Sequence, residues 1–370
     1  MSVDFDNATF RCAEPPFTCP AGHICSGGFC LSADAGTDGT EPGQPFLERT
    51  ISVRSPDTFQ PSDVTLYLLL TPDQIDYDAA GGAAEHLEFL DEQDRSLPFE
   101  VVTWDPAGSS QLWLRVSAFT EATSIRMRYG DPIIGGPAQP NEVWPGHGLV
   151  LHFEDDTTDS SPASVRTGLA GGATIGVGYV GNAASLNGID GFVDLGRDLA
   201  TFNGQGAATL STWINYNPGV GAKGIVEFSN GPGIISRAVL SLTPEREARI
   251  AVLTEDGAAP GEEVIGGVIP DNTWHWLVGT ADLLAGSMEL YLDGELQGSL
   301  VLQASANAFP ATDSDIAAIG KNETGDNGFI EANLDEARAM NQHLSESQVR
   351  ILYQSMTLEL LSFGPESMLP

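Results

Sequence analysis

The segment NLDEARAM (333–340) holds two adjacent acids, Asp335 and Glu336, whose chemistry could be hydrolytic. Glycoside hydrolysis needs two carboxyl groups roughly 5 to 9 Å apart that face one cleft. Neighbouring residues on a strand point to opposite faces of the sheet, so we expect Asp335 and Glu336 to diverge. Glu331 shares the parity of Asp335, but four residues along a strand separate the two by roughly 13 Å. This spacing argues against a catalytic pair.

Two further patterns for catalysis or nucleotide binding are weak. The segment GVGYVG (176–181) matches the dinucleotide motif G-x-G-x-x-G. That motif works only between a strand and a helix, whereas here a strand and a turn follow, so we predict a turn. The histidines fit no H-E-x-x-H or Ser/His/Asp spacing, and we expect His275, between two tryptophans, to be packed or exposed rather than catalytic. They are His23, His86, His147, His152, His275 and His343.

All four cysteines, Cys12, Cys19, Cys25 and Cys30, lie in CAEPPFTCPAGHICSGGFC. An even number clustered among prolines and glycines predicts two disulfides, with three possible connectivities. Because such a small module needs cross-links to fold, it indicates an oxidising compartment. The alternative is a zinc site that includes His23, but no C-x-x-C spacing supports it. No export signal is visible in MSVDFDNATF, so an extracellular or cell-surface location requires that the start was processed or trimmed.

The composition limits the partners and the fold class. The 370 residues carry a formal net charge of −35, which argues against nucleic acid and anionic membranes as partners. No stretch approaches the ~18 apolar residues of a membrane span, so we expect no transmembrane segment. With 42 glycines and 23 prolines, the chain favours an all-β class rich in turns. Acidic loops also make calcium a candidate cofactor.

Period-two alternation predicts strands along most of the chain. We predict a cysteine-rich segment, a linker, a β-rich domain, a second linker and a larger β domain, at 1–30, 31–45, 46–136, 137–147 and 148–362. In ATLSTWINYN, Leu210 and Ile214 oppose Trp213 and Asn215. Many short strands at this spacing indicate a sandwich or jelly roll.

A hairpin and one helix stand out in the last domain. The segment WHWLVGTADLLAGSMELYLDGELQGS (274–299) folds back at Asp293 and Gly294, which suit a tight turn. In LSESQVRILYQSM, Ser345 and Gln348 are spaced as a capping box, and one apolar stripe predicts a helix packed on the sandwich.

Residues 148–356 resemble the laminin-G-like branch of the concanavalin A-like lectin/glucanase superfamily. The resemblance rests on GLVLHFED, DSS, GNAASLNGIDGFVDLG, TLSTWINY, TWHWLVGT, ELYLDGELQGS, IGKN and FIEANLDEARAMNQHLSESQV, in the family's order. It implies an all-β chain with a laminin-G-like two-sheet antiparallel jelly roll. A smaller β-sandwich domain and a short disulfide-rich segment would precede it.

Residues 46–130 are similar to a bacterial surface-protein domain of unknown function. The similarity rests on FLERTISV, EHLEFLDEQDRSLPFEVVTWDP, QLWLRVSAF and IRMRYGD. Such domains occur in exported proteins, often before a laminin-G-like module, and also fused to ExbB/TolQ-like proton channels. The resemblance supplies no biochemical role.

The laminin-G resemblance also implies a structural calcium ion. Its ligands would be Asp335 with backbone carbonyls near Glu154 or Asp155 and at Gly188. The alternative is that these are ordinary solvated loop residues.

A glycan site would need an aromatic platform and fixed polar groups. Trp144, Trp213, Trp274 and Trp276 are available, and we expect at least two of the last three to be core. The polar loop candidates are Asn182, Asn187, Asp190, Asn322, Asp326 and Asn327. We therefore predict a non-catalytic extracellular or cell-surface adhesion module for a glycan or a protein. The alternatives are a glycoside hydrolase and a structural spacer.

Overall fold

The structure is a computed structural model, and it describes most of the chain in segments. These are residues 23–26, 29–32, 46–54, 63–117, 119, 123–130, 139–196, 199, 201–217, 223–229, 237–253, 262–303, 308–309, 316–322 and 328–368. The chain separates into two compact units, one drawn from 1–63, 67–139 and 360–370 and the other from 64–66 and 140–359.

Strands dominate the described residues. In chain order they begin with β1 (His23–Ser26), β2 (Phe29–Ser32), β3 (Leu47–Val53), β4 (Val64–Leu70), β5 (Leu87–Leu90), β6 (Phe99–Thr103), β7 (Ser110–Val116), β8 (Ser124–Tyr129), β9 (His147–Leu151), β10 (Gly168–Ala170), β11 (Thr174–Val177) and β12 (Asn182–Asn187). They continue with β13 (Phe192–Asp194), β14 (Ala207–Tyr216), β15 (Lys223–Ser229), β16 (Arg237–Leu242), β17 (Glu247–Leu253), β18 (Glu262–Val268), β19 (Trp274–Asp282), β20 (Ser287–Leu292), β21 (Glu295–Val301), β22 (Ile316–Ile319), β23 (Glu331–Met340) and β24 (Leu361–Met368). The helices are α1 (Tyr77–Ala80), α2 (Pro140–Val143) and α3 (Glu346–Met356). Within the described segments, no helix is long and apolar enough to cross a bilayer.

The first unit contains small sheets. Strands β1 and β2 form a hairpin in which the backbones of Cys25 and Cys30 are paired. Cys12 and Cys19 lie outside the described residues, so the disulfides stay a prediction. A four-stranded sheet has the order β24-β3-β8-β5, and a three-stranded sheet has the order β4-β7-β6. Strand β24 thus returns to pair with β3 near the start of the chain.

The second unit is built on two antiparallel sheets, as the sequence predicts. One has seven strands in the order β10-β13-β22-β15-β16-β17-β18. The other has eight, in the order β11-β12-β23-β14-β19-β20-β21 with β9 paired to β23. Both contribute to a single apolar core that includes Leu210, Ile214, Phe228 and Ile250. The predicted all-β sandwich is confirmed.

The alternation in β14 assigns the two faces of the eight-stranded sheet. Leu210, Ile214 and Tyr216 belong to the core between the sheets. Since alternate side chains point to opposite faces, Trp213 and Asn215 lie on the face turned away from that core. We call this second face the outer face.

Helix α3 covers part of the outer face. It begins with the predicted capping box, in which Ser345 and Gln348 bond each other's backbone. The ring of Tyr353 is stacked with those of Trp213 and Trp276, at centroid distances of 5.8 and 6.2 Å. The indole N–H of Trp213 also donates to the sulfur of Met356 at 3.1 Å. The apolar stripe predicted for helix α3 therefore packs on Trp213 and Trp276 and shields them from solvent.

The β20–β21 hairpin closes at Asp293 and Gly294, as the sequence predicts. Asp293 and Gly294 have φ angles of +52° and +79°, in the left-handed region that a tight turn of this kind requires. A Cβ on Gly294 would lie only 3.1 Å from the ring of Tyr353. The turn is therefore fitted against helix α3.

The buried Asp159 gives the segment DSS (159–161) a structural role. Its carboxylate accepts the backbone N–H groups of Val150, Ser161 and Val165 at 2.7 to 2.9 Å, and the Ser161 hydroxyl at 2.8 Å. One acid thus holds the loop that follows β9.

The two sheets approach closely at Gly279. A Cβ at this position would lie 2.6 Å from the Cβ of Ile250 on the facing sheet. We expect Gly279→Ala to lower the free energy of unfolding by about 1–3 kcal/mol, because the added methyl overpacks the core. The midpoint of chemical denaturation measures this loss.

Gly168→Ala is the matched control, since a Cβ at Gly168 would meet no atom within 4 Å. Equal midpoints for the two variants would contradict the close sheet packing.

Candidate functional site

A half-exposed strip crosses the outer face of the eight-stranded sheet. Cross-strand pairing places Ser185, Asn333, Asn215 and Trp274 side by side on β12, β23, β14 and β19. Each is partly exposed, whereas their strand neighbours Ala184, Leu334 and Ile214 lie in the core. We call these four residues, together with Tyr179, the carboxamide strip.

Two aromatic rings form a corner at one end of the strip. The ring of Tyr179 is stacked on that of Trp213, with centroids 3.6 Å apart and planes 15° apart. It meets Trp274 at 6.3 Å and 63°. Trp213 and Trp276 are only 1 % and 2 % exposed, which confirms that at least two of the three tryptophans are core. Trp274 and Tyr179 reach solvent.

The two carboxamides are available to a ligand. Within the described part of the chain, no residue is hydrogen-bonded to the side chain of Asn215 or Asn333. A carboxamide offers two N–H donors and a carbonyl acceptor. The strip therefore presents donors and acceptors beside an aromatic corner.

The acids Asp335 and Glu336 lie on the same face, so the prediction that they diverge is wrong. Leu334 and Ala337 both belong to the core although they are three positions apart. A register shift opposite Thr212 and a φ of +48° at Glu336 mark a β-bulge there. A bulge inserts one residue into the alternation, which places Asp335 and Glu336 together on the outer side.

Asp335 anchors the turn that carries Tyr179. Its Oδ2 accepts the backbone N–H groups of Tyr179 at 2.9 Å and Val180 at 2.8 Å, and its Oδ1 accepts that of Glu336 at 2.7 Å. The turn joins β11 to β12, as expected for GVGYVG, and no helix follows it. Asp335 thus fixes the position of one ring of the aromatic corner.

Glu336 is engaged by two basic side chains. It accepts from His152 Nδ1 at 2.8 Å and Arg338 Nη2 at 2.7 Å, and the Arg338 guanidinium lies over the Trp144 ring. Burial raises the pKa of Glu336, but the charges of His152 and Arg338 outweigh it and lower the pKa. Burial and the Glu336 charge raise the pKa of Asp335 well above its ordinary range. Asp335 and Glu336 are 0 % and 1 % exposed, so no sugar reaches them.

Glu154 supports the same turn from the other side. Its Oε2 accepts the backbone N–H of Asn182 at 3.2 Å, and its carbonyl accepts the Asn182 side-chain amide at 2.6 Å. Burial and the charge of Glu336 raise the pKa of Glu154 to about 7. Asn182, predicted as a ligand-binding residue, is therefore part of the turn's support.

Of the predicted calcium ligands, Asp335 and Glu154 lie at the same turn, whereas Gly188 lies apart from them. Asn187 pairs with Glu331, so the next residue, Gly188, lies four or five positions along β23 from Asp335, roughly 13 Å or more. The Asp335 oxygens already accept three backbone N–H groups, and Asp155 is exposed. Among the described residues, no three His, Cys, Asp or Glu side chains form a metal-binding group. Gly188 is therefore not beside Asp335, and the calcium ion stays a prediction.

Of the other predicted ligand-binding residues, Asn187 and Asp190 lie in one turn and Asn322 lies after a strand of the other sheet. The Asn187 Oδ1 accepts the N–H groups of residues 189–191, and Asp190 accepts the Asn187 amide, so both serve their own turn. Asn322 follows β22 in the other sheet, beside Lys321, whose ammonium lies 3.7 Å above the Phe192 ring. Asp326 and Asn327 lie outside the described residues.

Sequence reasoning missed Asn215, Asn333, Ser185 and Tyr179. The clean alternation of ATLSTWINYN already placed Asn215 on the face of Trp213. The identity of the neighbouring strands, which brings Asn333 and Trp274 beside it, was not visible in the sequence.

His275 belongs to a hydrogen-bonded chain at the hairpin. Its Nδ1 lies 2.7 Å from Asp293 Oδ2, and its Nε2 lies 2.9 Å from the Thr273 hydroxyl. Asp293 Oδ1 accepts the backbone N–H of Trp276 at 2.8 Å. The chain holds the Asp293 carboxylate beside the aromatic cluster.

Residues 187–350 match the family model of the concanavalin A-like lectin/glucanases superfamily. This part of the chain carries the superfamily's pattern. The match confirms the resemblance predicted for residues 187–350. These residues include β14, β19 and β23, three of the strands that carry the carboxamide strip. No curated protein matches the chain.

Several solved structures are similar at low identity. Domain 4 of AbnA, an extracellular arabinanase from Geobacillus stearothermophilus in complex with arabinotriose, has a TM-score of 0.45 and 19% identity over 56% of this chain and 98% of that chain. The binding domain of Paraclostridial Mosquitocidal Protein 1 has a TM-score of 0.47 and 19% identity over 59% of this chain and 53% of that chain. The binding domain of Botulinum Neurotoxin DC in complex with SialylT has a TM-score of 0.44 and 13% identity over 57% of this chain and 52% of that chain. The chain spans about half the length of these two toxin binding domains.

Asp335→Asn tests the anchoring of the Tyr179 turn. Asparagine replaces one acceptor oxygen with a donor, so buried N–H groups lose their partner. We expect a loss of about 2 kcal/mol in the free energy of unfolding. We also expect the near-ultraviolet circular dichroism of the Tyr179–Trp213 stack to weaken. Asp155→Asn, at an exposed acid, is the control. A wild-type spectrum and midpoint for Asp335→Asn would contradict this role.

The raised pKa of Glu154 predicts a pH dependence of stability. The folded state holds a proton on Glu154 up to about pH 7, whereas the ordinary value is 4.5. The contribution of Glu154 to the free energy of unfolding is therefore complete below pH 4.5 and is lost as the pH rises through 7. We expect Glu154→Gln to flatten the fall in unfolding free energy over this range. Glu245→Gln, at an exposed turn of the other sheet, leaves the slope unchanged. Parallel slopes for wild type and Glu154→Gln would refute the assignment.

Proposed function

We propose that the second unit is a non-catalytic binding module that recognises a glycan on the carboxamide strip. The observation that supports this proposal is the half-exposed row of Asn333, Asn215 and Trp274 with Tyr179 at its corner. The family described for residues 187–350 includes both lectins and glucanases. The chemistry of the strip favours the former.

The strip has both elements of a sugar site. A sugar ring has an apolar face that packs on an aromatic ring, and hydroxyl groups that need fixed donors and acceptors. Trp274 and Tyr179 supply the aromatic surface, and Asn215 and Asn333 supply the polar groups. The row crosses four strands that lie about 4.8 Å apart, so it extends roughly 14 Å and suits an oligosaccharide.

The strip is preorganised by what lies beneath and beside it. Three of its polar positions are on strands of the sheet, and Tyr179 is held by Trp213 and by the Asp335 carboxylate. Binding groups that are already fixed lose little conformational freedom when a ligand arrives. The fixed positions of these side chains distinguish the strip from an ordinary exposed polar surface.

The burial of Asp335 and Glu336 argues against hydrolysis by these two acids. Glycosidase carboxyl groups must reach the bond that they cleave. A hydrolase therefore stays the alternative, one that requires other acids, and a ligand-free spacer is the second alternative.

The location of the protein belongs to the same proposal. Four clustered cysteines support disulfides and an oxidising compartment. We infer that the chain acts outside the cell or at its surface, where polysaccharides and protein partners are accessible.

Binding to an array of neutral, cationic and anionic oligosaccharides tests the proposal. We expect binding without cleavage, and at least about a tenfold loss of affinity in Trp274→Ala. Asn215→Ala and Asn333→Ala each remove hydrogen bonds worth about 1 kcal/mol, a loss of roughly fivefold. Gln297→Ala, exposed on the edge strand β21, is the control.

Three results would overturn the proposal. Release of reducing ends would establish the hydrolase, and binding to no glycan would favour the spacer. Equal affinity of wild type and Trp274→Ala would place the ligand elsewhere.

A further inference from the structure

Two carboxylates flank the aromatic rings. Asp293 is hydrogen-bonded to His275 and to the Trp276 N–H. Glu359 is exposed three residues after Met356, whose sulfur accepts from the Trp213 indole. Asp293 and Glu359 both raise the pKa of Tyr179, after the larger effect of its burial. The same two acids act on Tyr353, whose burial contributes most to raising its pKa to about 12. Asp293 and Glu359 are thus the two carboxylates whose charge acts on both tyrosines. The corner therefore has a negative edge.

The geometry holds this negative edge in place. Asp293 is fixed at the hairpin tip by the Trp276 N–H and by His275. Glu359 is exposed just after helix α3, and its backbone N–H donates to the carbonyl of Gln354 at 3.0 Å. Both acids thus sit on elements that also position Tyr353 or Trp276.

The strip meets a further acid at the end of β23. Glu331 is exposed two residues before Asn333 and accepts from the side chain of Asn217. The nearby Lys223 is buried, and burial lowers its pKa although Glu331 opposes this. Arg338 is likewise sheltered, by Glu336 and Trp144. Among the described residues named here, the exposed charge beside the strip is therefore a carboxylate, whereas Lys223 and Arg338 are buried.

We propose that the glycan is cationic, an oligosaccharide of amino sugars whose ammonium groups meet Asp293 and Glu359 beside the Trp274–Tyr179 corner. This inference rests on the proposed function and specifies its ligand class. An ammonium group gains charge-assisted hydrogen bonds from carboxylates and attraction from an aromatic face within about 6 Å. A glycan with carboxylate or sulfate groups meets like charges there, which selects against it. The net charge of −35 adds long-range attraction for a cation.

Calorimetric titration with matched oligosaccharides tests this selection. The probes are a short oligosaccharide of glucosamine, its N-acetylated form of equal length, and an oligogalacturonate. The buffer is mildly acidic, so that sugar amines are protonated. We expect the glucosamine probe to bind at least about tenfold more tightly than the acetylated probe. Oligogalacturonate should not bind. Raising the salt concentration from about 0.05 M to about 0.5 M should reduce the difference in affinity between the glucosamine and acetylated probes, because salt screens accessible charges.

Glu359→Gln isolates the charge without altering the rings. We expect it to weaken glucosamine binding by about threefold to tenfold and to leave the acetylated probe unchanged. Glu245→Gln removes an exposed acid of the other sheet and should change neither affinity. Because the whole chain is acidic, Trp274→Ala separates site binding from general attraction, and we expect it to abolish the preference.

The outcomes distinguish the inference from the proposed function. If the acetylated probe binds as tightly as the glucosamine probe, the charge selection is wrong and the glycan site stands. The same holds if Glu359→Gln has no effect. If Trp274→Ala still prefers glucosamine, the attraction comes from bulk charge and the inference fails. If no probe binds the wild-type chain, the inference fails, and the oligosaccharide array decides whether the proposed function falls with it.

Discussion

The buried carboxylate of Asp335 is the interaction on which the outer face depends. It accepts backbone N–H groups from both the β11–β12 turn and its own bulged strand. Because a buried N–H without a partner costs about 1–3 kcal/mol, this one acid couples the conformation of β23 to that of the turn. The same contacts hold the turn in which the Tyr179 ring is stacked on that of Trp213. A surface property, the aromatic corner, therefore depends on a group that never meets solvent.

The acid cluster under the turn costs desolvation free energy but fixes the conformation of the turn. Asp335, Glu336 and Glu154 place three carboxyl groups close together, and His152 and Arg338 compensate mainly Glu336. Buried charges lose hydration, which their mutual attraction repays only with well-made hydrogen bonds. An apolar set of similar volume would pack at lower cost, but it could not hold the turn's N–H groups. The cluster is therefore better understood as a positioning device than as a source of stability.

Much of the fold was accessible from the sequence because period-two alternation and turn chemistry are local. The alternation of Leu210 and Trp213, the Asp293–Gly294 turn and the cap of α3 all follow from neighbouring residues. The bulge at Glu336 does not follow from its neighbours, because no glycine or proline marks it in the strand. Strict period-two alternation therefore places Glu336 on the wrong face of the sheet. The distance between Gly188 and Asp335 was hidden for a related reason, since only the register of β12 on β23 shows it. The carboxamide strip is assembled from strands far apart in the chain, so only its individual side chains could be anticipated.

The pairing of β24 with β3 has a consequence for biosynthesis. Strand β3 leaves the ribosome before the two-sheet unit, yet its partner Leu361–Met368 is made only after the whole of that unit. During that interval β3 keeps one edge without its native neighbour, and exposed strand edges are the usual starting point for intermolecular association. Rapid closure of the inserted unit, which brings the chain back for the last strand, would shorten the period in which nascent chains are vulnerable to misassembly.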